Sequence, residues 1–181
     1  MRVDTLRGST WQSMVASPPF KTESKTAMTE PRMISSQRPS GFPIEVPFLE
    51  HLGAKLIAFT NDSASVELRL QPWLLNSWQV AHGGIVMTLL DVAMAMAGRP
   101  LDPDPDQEHG QAQKFGNVTI EMKTTFMKAA DGIASDGILT AKGVCLRRTS
   151  SLAFCEAVSE DGAGGIVAKG SGTFKSWRQR I

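Results

Sequence analysis

Alternating hydrophobic and polar residues mark six stretches of the chain as β-strands. The alternation is clearest at residues 63–70, where every second residue is apolar and the residues between are charged or polar. The six predicted strands are residues 55–59, 63–70, 117–127, 133–146, 151–159 and 166–174. Turn-forming residues, among them Asp131-Gly132 and Asp161-Gly162, separate neighbouring strands. The pattern therefore predicts an N-terminal hairpin and a later antiparallel meander of four strands.

One long helix interrupts the strands. Residues 83–98 are apolar on nearly every side, which is typical of a helix enclosed by the rest of the fold. A shorter apolar turn at residues 47–53 ends in Gly53, a residue type that favours helix C-caps. A sheet with a single long helix to cover it is an α+β arrangement, so we expect an antiparallel sheet wrapped around a central helix.

The first forty residues differ in composition from the rest. They are rich in Ser, Thr and Pro and show no apolar periodicity, so they cannot bury enough surface to offset the entropy of ordering. We therefore expect a flexible N-terminal extension over residues 1–41, a folded domain over residues 42–176 and a C-terminal tail over residues 177–181. A translation start at Met28 or Met33 is an alternative explanation of the extension.

Three prolines predict an irregular loop within residues 99–116.

Composition and charge limit the class of protein. The 181 residues, 41% hydrophobic and 20% charged, suffice for one packed domain. A formal net charge of +1 argues against a nucleic-acid-binding surface, which usually has a basic excess. The longest apolar stretch, residues 85–97, is interrupted by Asp91 and is too short to span a bilayer. Because Cys145 and Cys155 form neither a CxxC pair nor a disulfide framework, we expect a reducing compartment. Together with the lack of a membrane-spanning stretch, this predicts a cytoplasmic protein.

The stretch from Asn76 to Asp91 carries the candidate chemistry. Gly83 and Gly84 begin the predicted helix, where free backbone N–H groups and the positive end of the helix dipole can bind an oxyanion. The same glycines also suit a tight strand-to-helix turn without any catalytic role. Asp91 lies two turns further along in otherwise apolar surroundings. A carboxylate buried there is either a structural anchor that accepts hydrogen bonds from a neighbouring loop or a catalytic group.

Helix geometry keeps these two groups apart. Asp91 follows Gly83 by eight positions, which corresponds to about 12 Å along a helix. An oxyanion donor and a catalytic carboxylate both have to lie within about 3 Å of the reacting atoms. If both are catalytic, each site combines the helix N-terminus of one chain with Asp91 of another, as a two-fold symmetric dimer allows.

These residues resemble the signature of a known family. Asn76, His82-Gly83-Gly84 and Asp91 are similar to the motif of hotdog-fold acyl-CoA thioesterases, in particular those of the phenylacetate-degradation type. Further similar segments follow in the same order at residues 47–53, 118–123 and 165–170. The resemblance implies a hotdog fold and hydrolysis of an acyl-CoA thioester to free acid and coenzyme A, with no cofactor. It also implies a homodimer or homotetramer with shared active sites.

The resemblance implies roles for individual residues as well. Asp91 matches the catalytic carboxylate, acting as a general base on water or as a nucleophile toward the thioester carbonyl. The N–H of Gly83 matches the donor that polarises the carbonyl oxygen. Asn76 matches a side chain that positions the water or the thioester, and Thr119 matches a hydroxyl that orients the water.

Further residues are candidates for contacts with the substrate. His82 and Gly84 lie beside the catalytic glycine, and the family position of His82 mainly holds the turn. Trp78 is bulkier than is usual at its position, so it either narrows the acyl pocket or caps the helix entrance. Basic side chains that suit coenzyme A phosphates are those of Arg147, Arg148 and Lys128, with an ordinary charged hairpin turn as the alternative.

Two other functions remain as alternatives on the same fold. A non-catalytic module that binds acyl-CoA or an acyl carrier would not need Asp91. A hotdog hydratase would need an Asp and His pair on one loop, which the sequence lacks.

His51 and His109 have no partners at metal-ligand spacing, so no metal site is expected. The acyl group stays open between aryl-acetyl and straight chains of short or medium length.

Overall fold

A six-stranded antiparallel sheet packs against one long helix in the computed structural model, which describes residues 40–99, 114–130 and 136–179. In chain order the elements are α1 (Pro47–Leu52), β1 (Lys55–Phe59), β2 (Ser63–Arg69), α2 (Gly83–Ala97), β3 (Lys114–Phe126), β4 (Ile138–Arg148), β5 (Leu152–Asp161) and β6 (Ile166–Gln179). A short 3-10 turn at Pro72–Leu74 precedes α2. This architecture confirms the predicted α+β fold, with the sheet wrapped around α2.

The strands lie in the order β1-β2-β4-β5-β6-β3, and every neighbouring pair is antiparallel. The prediction of a four-strand meander is wrong for β3, which pairs with β6 at the sheet edge instead of with β4. After β3 the N–H groups of Met127 and Lys128 donate to the carbonyl of Val167 in β6, at 2.8 and 3.2 Å. Because of these bonds the chain after β3 stays beside β6 and forms no tight hairpin with β4. The neighbour of β4 on that side is β2.

Burial along the strands follows the alternation of the sequence. In β2 the buried residues are Ala64, Val66 and Leu68, and in β5 every second residue from Ala153 to Asp161 is buried. Successive side chains of a strand point to opposite faces, so these residues face α2 and their neighbours face outward. The helix contributes apolar side chains of its own to the core between the two layers.

Small residues in the sheet let α2 lie close to it. A side chain at Gly143 would collide with the backbone carbonyl of Ala93 in α2. Gly143 pairs with Ala157, which in turn pairs with Gly170, so one row across β4, β5 and β6 carries almost no side chain. We call these three residues the small-residue floor. It fixes the distance between helix and sheet by close packing.

The ends of the folded region differ slightly from the prediction. Ser40, expected in the flexible extension, accepts a hydrogen bond from the N–H of Leu56 at 2.8 Å. Strand β6 continues to Gln179, past the predicted domain end at residue 176. The rest of the predicted extension, most of the proline-containing loop and the start of the predicted strand 133–146 lie outside the described residues. None of the described helices combines the length and hydropathy that a membrane crossing requires.

Candidate active site

A histidine side chain caps the N-terminus of α2. Nδ1 of His82 accepts a hydrogen bond from the N–H of Gly84 at 3.0 Å, and the His82 carbonyl accepts from Ile85 and Val86. Within the described parts of the chain, no acceptor takes the N–H of Gly83. Of the two glycine amides, Gly83 therefore has the one available to a ligand, at the positive end of the helix. His82 and Gly84 serve the start of the helix.

Asn76 begins the tight loop that leads into α2. Its Oδ1 accepts hydrogen bonds from the N–H groups of Trp78, at 2.9 Å, and Val80, at 3.4 Å. Gln79 in this loop has a φ of 61°, a left-handed conformation that residues with a side chain rarely adopt. Because Oδ1 is engaged by the backbone, the amide nitrogen of Asn76 is the polar atom left to face a ligand.

Asn76 and Gly83 line one cavity of about 450 Å³ together with residues 126–130, Ala81, Val86 and Val167. The ring of Phe126 lies against Gly83, 3.5 Å from where a Cβ on this glycine would be. The N–H of Ala81 donates to the carbonyl of Ala130 at 2.9 Å and joins the two segments that form the pocket walls. A mostly apolar pocket with a few polar groups is typical of a small-molecule site.

Asp91 lies on the open face of α2 beside β3. Oγ1 of Thr119 in β3 donates a hydrogen bond to Oδ1 of Asp91 at 2.7 Å. Asp91 is half-buried and Thr119 is exposed. The carboxylate thus has a partner and also borders the surface of the chain.

The predicted catalytic residues form two groups on one chain. Asn76 and Gly83 line the pocket, and we call them the oxyanion half-site. Asp91 and Thr119 lie outside this pocket, and we call them the carboxylate half-site. Asp91 follows Gly83 by eight positions of α2, which is about 12 Å of helix rise. One chain therefore cannot bring its own two half-sites to one carbonyl group.

Trp78 and Arg147 lie away from the pocket. The Trp78 side chain is 83% exposed and is not among the residues that line the cavity. Arg147 is exposed on β4, next to a bulge in the pairing with β5. The structure therefore does not bring these two predicted substrate contacts to the half-sites.

Arg148 is engaged at the C-terminal end of α2. Its Nη2 and Nε donate to the carbonyls of Ala97 and Gly98 at 2.9 and 3.0 Å. Nη2 also donates to the carbonyl of Asn61, and Nη1 donates to Oδ1 of Asp62. A cation that bonds to the last carbonyls of a helix stabilises its negative end. The structure thus gives Arg148 partners at the end of α2, and its expected contact with coenzyme A phosphate stays a prediction.

Comparison with known proteins identifies the family. Residues 79–168, which include α2 and β3 to β5, match the sequence model of the thioesterase superfamily. This part of the chain belongs to the thioesterase superfamily. The match begins just after Asn76 and includes Gly83, Asp91 and Thr119. The match is to the superfamily as a whole, and the phenylacetate-degradation type stays a prediction.

Individual relatives of this thioesterase-superfamily chain agree with the assignment. A protein of Archaeoglobus fulgidus, provisionally named an esterase, is 33% identical over 81 residues, 45% of this chain and 45% of the relative. Another of Saccharolobus solfataricus, also provisionally named an esterase, is 26% identical over 130 residues, 72% of this chain and 83% of the relative. A solved thioesterase-family structure from Silicibacter pomeroyi shares the fold, with a TM-score of 0.63 at 19% identity over 74% of this chain and 91% of that one. Together these comparisons support a thioester hydrolase.

The thioesterase domain also contains a buried carboxylate that sequence reasoning identified only as a turn residue. Oδ2 of Asp161 lies 2.5 Å from Nζ of Lys128, and the Asp161 side chain is 2% exposed. Its Oδ1 accepts hydrogen bonds from the N–H groups of Gly165, at 2.8 Å, and Ala163, at 3.2 Å. An Asp-Gly pair between two strands predicts a turn but gives no sign of a partner 33 positions away.

These contacts make the stability of the thioesterase domain depend on pH. The hydrogen bond from Lys128 is the largest cause that holds the pKa of Asp161 below its ordinary value of 3.8, and the bond from Gly165 is the next. Since the pKa is lower in the folded state, ionised Asp161 contributes stability that is fully present above the ordinary pKa. That contribution is lost as the pH falls through the lowered pKa.

Replacing Asp161 by Asn should lower the free energy of unfolding by about 1–3 kcal/mol near pH 7. The side-chain oxygen of Asn still accepts the backbone bonds, so the loss reports the ion pair. It is smaller than for a fully buried pair because Lys128 is half-exposed. Urea unfolding at several pH values between about 7 and 3 should show the difference from wild type shrinking in acid.

A matched control is Glu160→Gln, which removes the carboxylate of the more exposed Lys142–Glu160 pair. Its effect should stay below about 1 kcal/mol. A difference between wild type and Asp161→Asn that stayed constant over the whole pH range would contradict the assignment to Asp161.

Cys155 is unsuited to act as a nucleophile. It pairs with Cys145 across β4 and β5, and both are free thiols. Burial, followed by the proximity of Cys145, raises the pKa of the Cys155 thiol to about 12. The thiol is therefore protonated at neutral pH, whereas attack requires the thiolate.

In the described ranges no group of three or more His, Cys, Asp or Glu side chains is placed to hold a metal ion.

Proposed function

We propose that this chain is an acyl-CoA thioesterase whose active sites are shared between two copies. The observation that carries the proposal is that α2 contributes one residue to each of two half-sites. Gly83, whose N–H has no acceptor among the described residues, lines an apolar pocket, and Asp91 is held by Thr119 two turns further along. Membership of the thioesterase superfamily supports the reaction class. A base and an oxyanion donor suffice for this reaction, because a thioester carbonyl is electrophilic and a thiolate leaves readily.

In the proposed reaction Asp91 activates the attack on the thioester carbonyl. As a base it takes a proton from water while the water oxygen bonds to the carbonyl carbon. The Thr119 hydroxyl donates to Asp91 and retains lone pairs that orient this water. The N–H of Gly83 stabilises the negative charge that forms on the carbonyl oxygen. The C–S bond then breaks, and the thiolate of coenzyme A leaves and takes up a proton.

The alternative course makes Asp91 the nucleophile. Its carboxylate oxygen then bonds to the carbonyl carbon, coenzyme A leaves, and water hydrolyses the resulting mixed anhydride. Both courses use the same oxyanion donor and the same position of Asp91. In both, the free acid and coenzyme A are the products.

We infer that a second copy of the chain completes each site. Strand β3 is at the edge of the sheet, so its outer N–H and C=O groups have no partner among the described strands. Val118 and Ile120 flank Thr119 and are 58% and 56% exposed, as is typical of a surface that an assembly covers. A partner across β3 would bring the carboxylate half-site of one chain to the oxyanion half-site of the other. A homodimer is the smallest such assembly, and a homotetramer would pair two of them.

The pocket walls favour an apolar acyl group. The side chains of Phe126, Met127, Val86 and Val167 line the cavity, and burial of an acyl chain against them is favourable. We therefore propose an aryl-acetyl group, as in phenylacetate degradation, or a straight chain of short or medium length.

The proposed function is tested by the release of free thiol from a panel of aryl-acetyl-, benzoyl- and straight-chain acyl-CoAs. Wild type should hydrolyse at least one of these classes well above the uncatalysed rate. Binding of acyl-CoA without release of thiol would favour a non-catalytic binding module. Neither binding nor hydrolysis of any member would contradict both functions.

A further inference from the structure

Lys128 is the basic residue among the described residues that line the pocket of the oxyanion half-site. It follows β3 and forms part of the same wall as Phe126. The other candidate cations lie elsewhere, since Arg148 bonds to the end of α2 and Arg147 is exposed on β4, away from the pocket. Lys128 is therefore the residue of this pocket wall that could supply a positive charge to a ligand beside Gly83.

Lys128 is the exposed member of its ion pair. Nζ lies 2.5 Å from Oδ2 of Asp161, and the side chains of Lys128 and Asp161 are 52% and 2% exposed. The carboxylate is thus the buried member of the pair and the ammonium the accessible one.

The surroundings hold the ammonium in place and leave it able to bind. An ammonium has three N–H donors, and its hydrogen bond among the described residues is the one to Asp161. Asp161 is fixed in turn by the N–H groups of Ala163 and Gly165. Gly165 also provides room, because a Cβ at this position would come within 2.7 Å of Nζ. The ammonium is therefore positioned by the turn between β5 and β6 and keeps N–H donors for a ligand.

We propose that Lys128 binds an anionic group of the substrate, either a phosphate of coenzyme A or a carboxylate on the acyl chain. This proposal rests on the proposed thioesterase function, which supplies the substrate. Both groups carry anionic oxygens that accept charge-assisted hydrogen bonds from an ammonium. Lys128 is the binding residue, and Asp161 is a positioning residue that acts through it.

The double variant Lys128→Met/Asp161→Asn tests the proposal without leaving a buried charge unpaired. The matched control is Lys142→Met/Glu160→Gln, which removes an ion pair from the outer face of the sheet. Three substrates distinguish the sources of the anion. They are an acyl-CoA, the N-acetylcysteamine thioester of the same acyl group, and an N-acetylcysteamine thioester whose acyl chain ends in a carboxylate.

The pocket variant should raise KM about tenfold for each substrate that carries the recognised anion, with kcat within about twofold of wild type. An increase for the acyl-CoA assigns Lys128 to a phosphate, and an increase for the carboxylate-bearing thioester assigns it to the acyl chain. The neutral thioester should be unaffected, and the control variant should change none of the three. Equal effects on all three substrates, or no effect on any, would overturn the proposal.

Binding measured without turnover separates this proposal from the proposed function. Calorimetry with free coenzyme A and with a short dicarboxylic acid needs no hydrolysis. Weaker binding of either by the pocket variant supports the role of Lys128 even if wild type hydrolyses no thioester. Equal binding by variant and wild type, or no binding by either, overturns it. Lys128→Arg keeps the charge and should restore binding to within about threefold of wild type.

Discussion

Replacing Asp91 by Asn should lower the rate of acyl-CoA hydrolysis by at least about a hundredfold, with fold and assembly unchanged. Asn has nearly the same shape, and its side-chain oxygen can still accept the hydrogen bond from Thr119. The variant therefore keeps the contact and loses only the charge and the base. Free-thiol release at saturating acyl-CoA measures the effect, and circular dichroism with size-exclusion chromatography checks fold and size.

The matched control for Asp91→Asn is Asp62→Asn. Asp62 is an exposed carboxylate that bonds to Arg148 at the C-terminal end of α2. An exposed ion pair contributes little stability, so this variant should retain the rate to within about twofold. If Asp91→Asn hydrolysed the substrate as fast as wild type, another group would have to activate the water and the proposed mechanism would be wrong.

Replacing Gly83 by Pro should lower hydrolysis by about 10²–10³-fold, because it removes the N–H that serves the oxyanion. Gly83 is the first residue of α2, a position where Pro fits the helix. His82 before it has φ −60° and ψ 135°, a conformation that suits a residue preceding Pro. The matched control, Gly83→Ala, keeps the N–H, and its Cβ would meet the Phe126 ring at an ordinary 3.5 Å. An equal loss in both variants would assign the effect to pocket shape instead.

Mixing the two inactive variants tests whether the sites are shared. In a mixed dimer the Asp91→Asn chain supplies an intact Gly83 and the Gly83→Pro chain supplies an intact Asp91, so one of the two sites is complete. Random pairing makes half of the dimers mixed, and activity should return to about a quarter of wild type. Chains with different affinity tags allow the mixed dimers to be isolated after co-expression. Mixed dimers as inactive as either parent would show that each chain builds its own site.

The features that the sequence predicted correctly depend on local patterns. α2 is recognisable because its residues are almost all apolar, and Gly53 ends α1 with the φ of 76° that a C-cap glycine adopts. The separation of Gly83 from Asp91 follows from helix rise alone. Sequence and structure therefore agree that Gly83 and Asp91 lie apart on one chain, and their catalytic roles stay a prediction.

The features that the sequence did not predict depend on contacts between distant residues. Asp131-Gly132 suits a hairpin, but the pairing of β3 depends on the free edge of β6, which no local pattern encodes. The contact of Arg148 with the carbonyl of Gly98 joins residues 50 positions apart, and the ion pair of Lys128 with Asp161 has the same character. The sequence identifies basic side chains as possible ligand contacts, but only the fold shows which partners each of them has.

The small-residue floor restricts where this domain can evolve a preference for a different acyl group. Any side chain at Gly143 would lift α2 from the sheet and move both half-sites at once. The pocket wall at residues 126–130 is under no such restriction, since Phe126 and Met127 are more than half exposed. Substitutions in this wall can reshape the cavity while the spacing of the reacting groups stays constant. Selectivity and catalytic geometry are thus carried by different parts of the chain and can diverge independently.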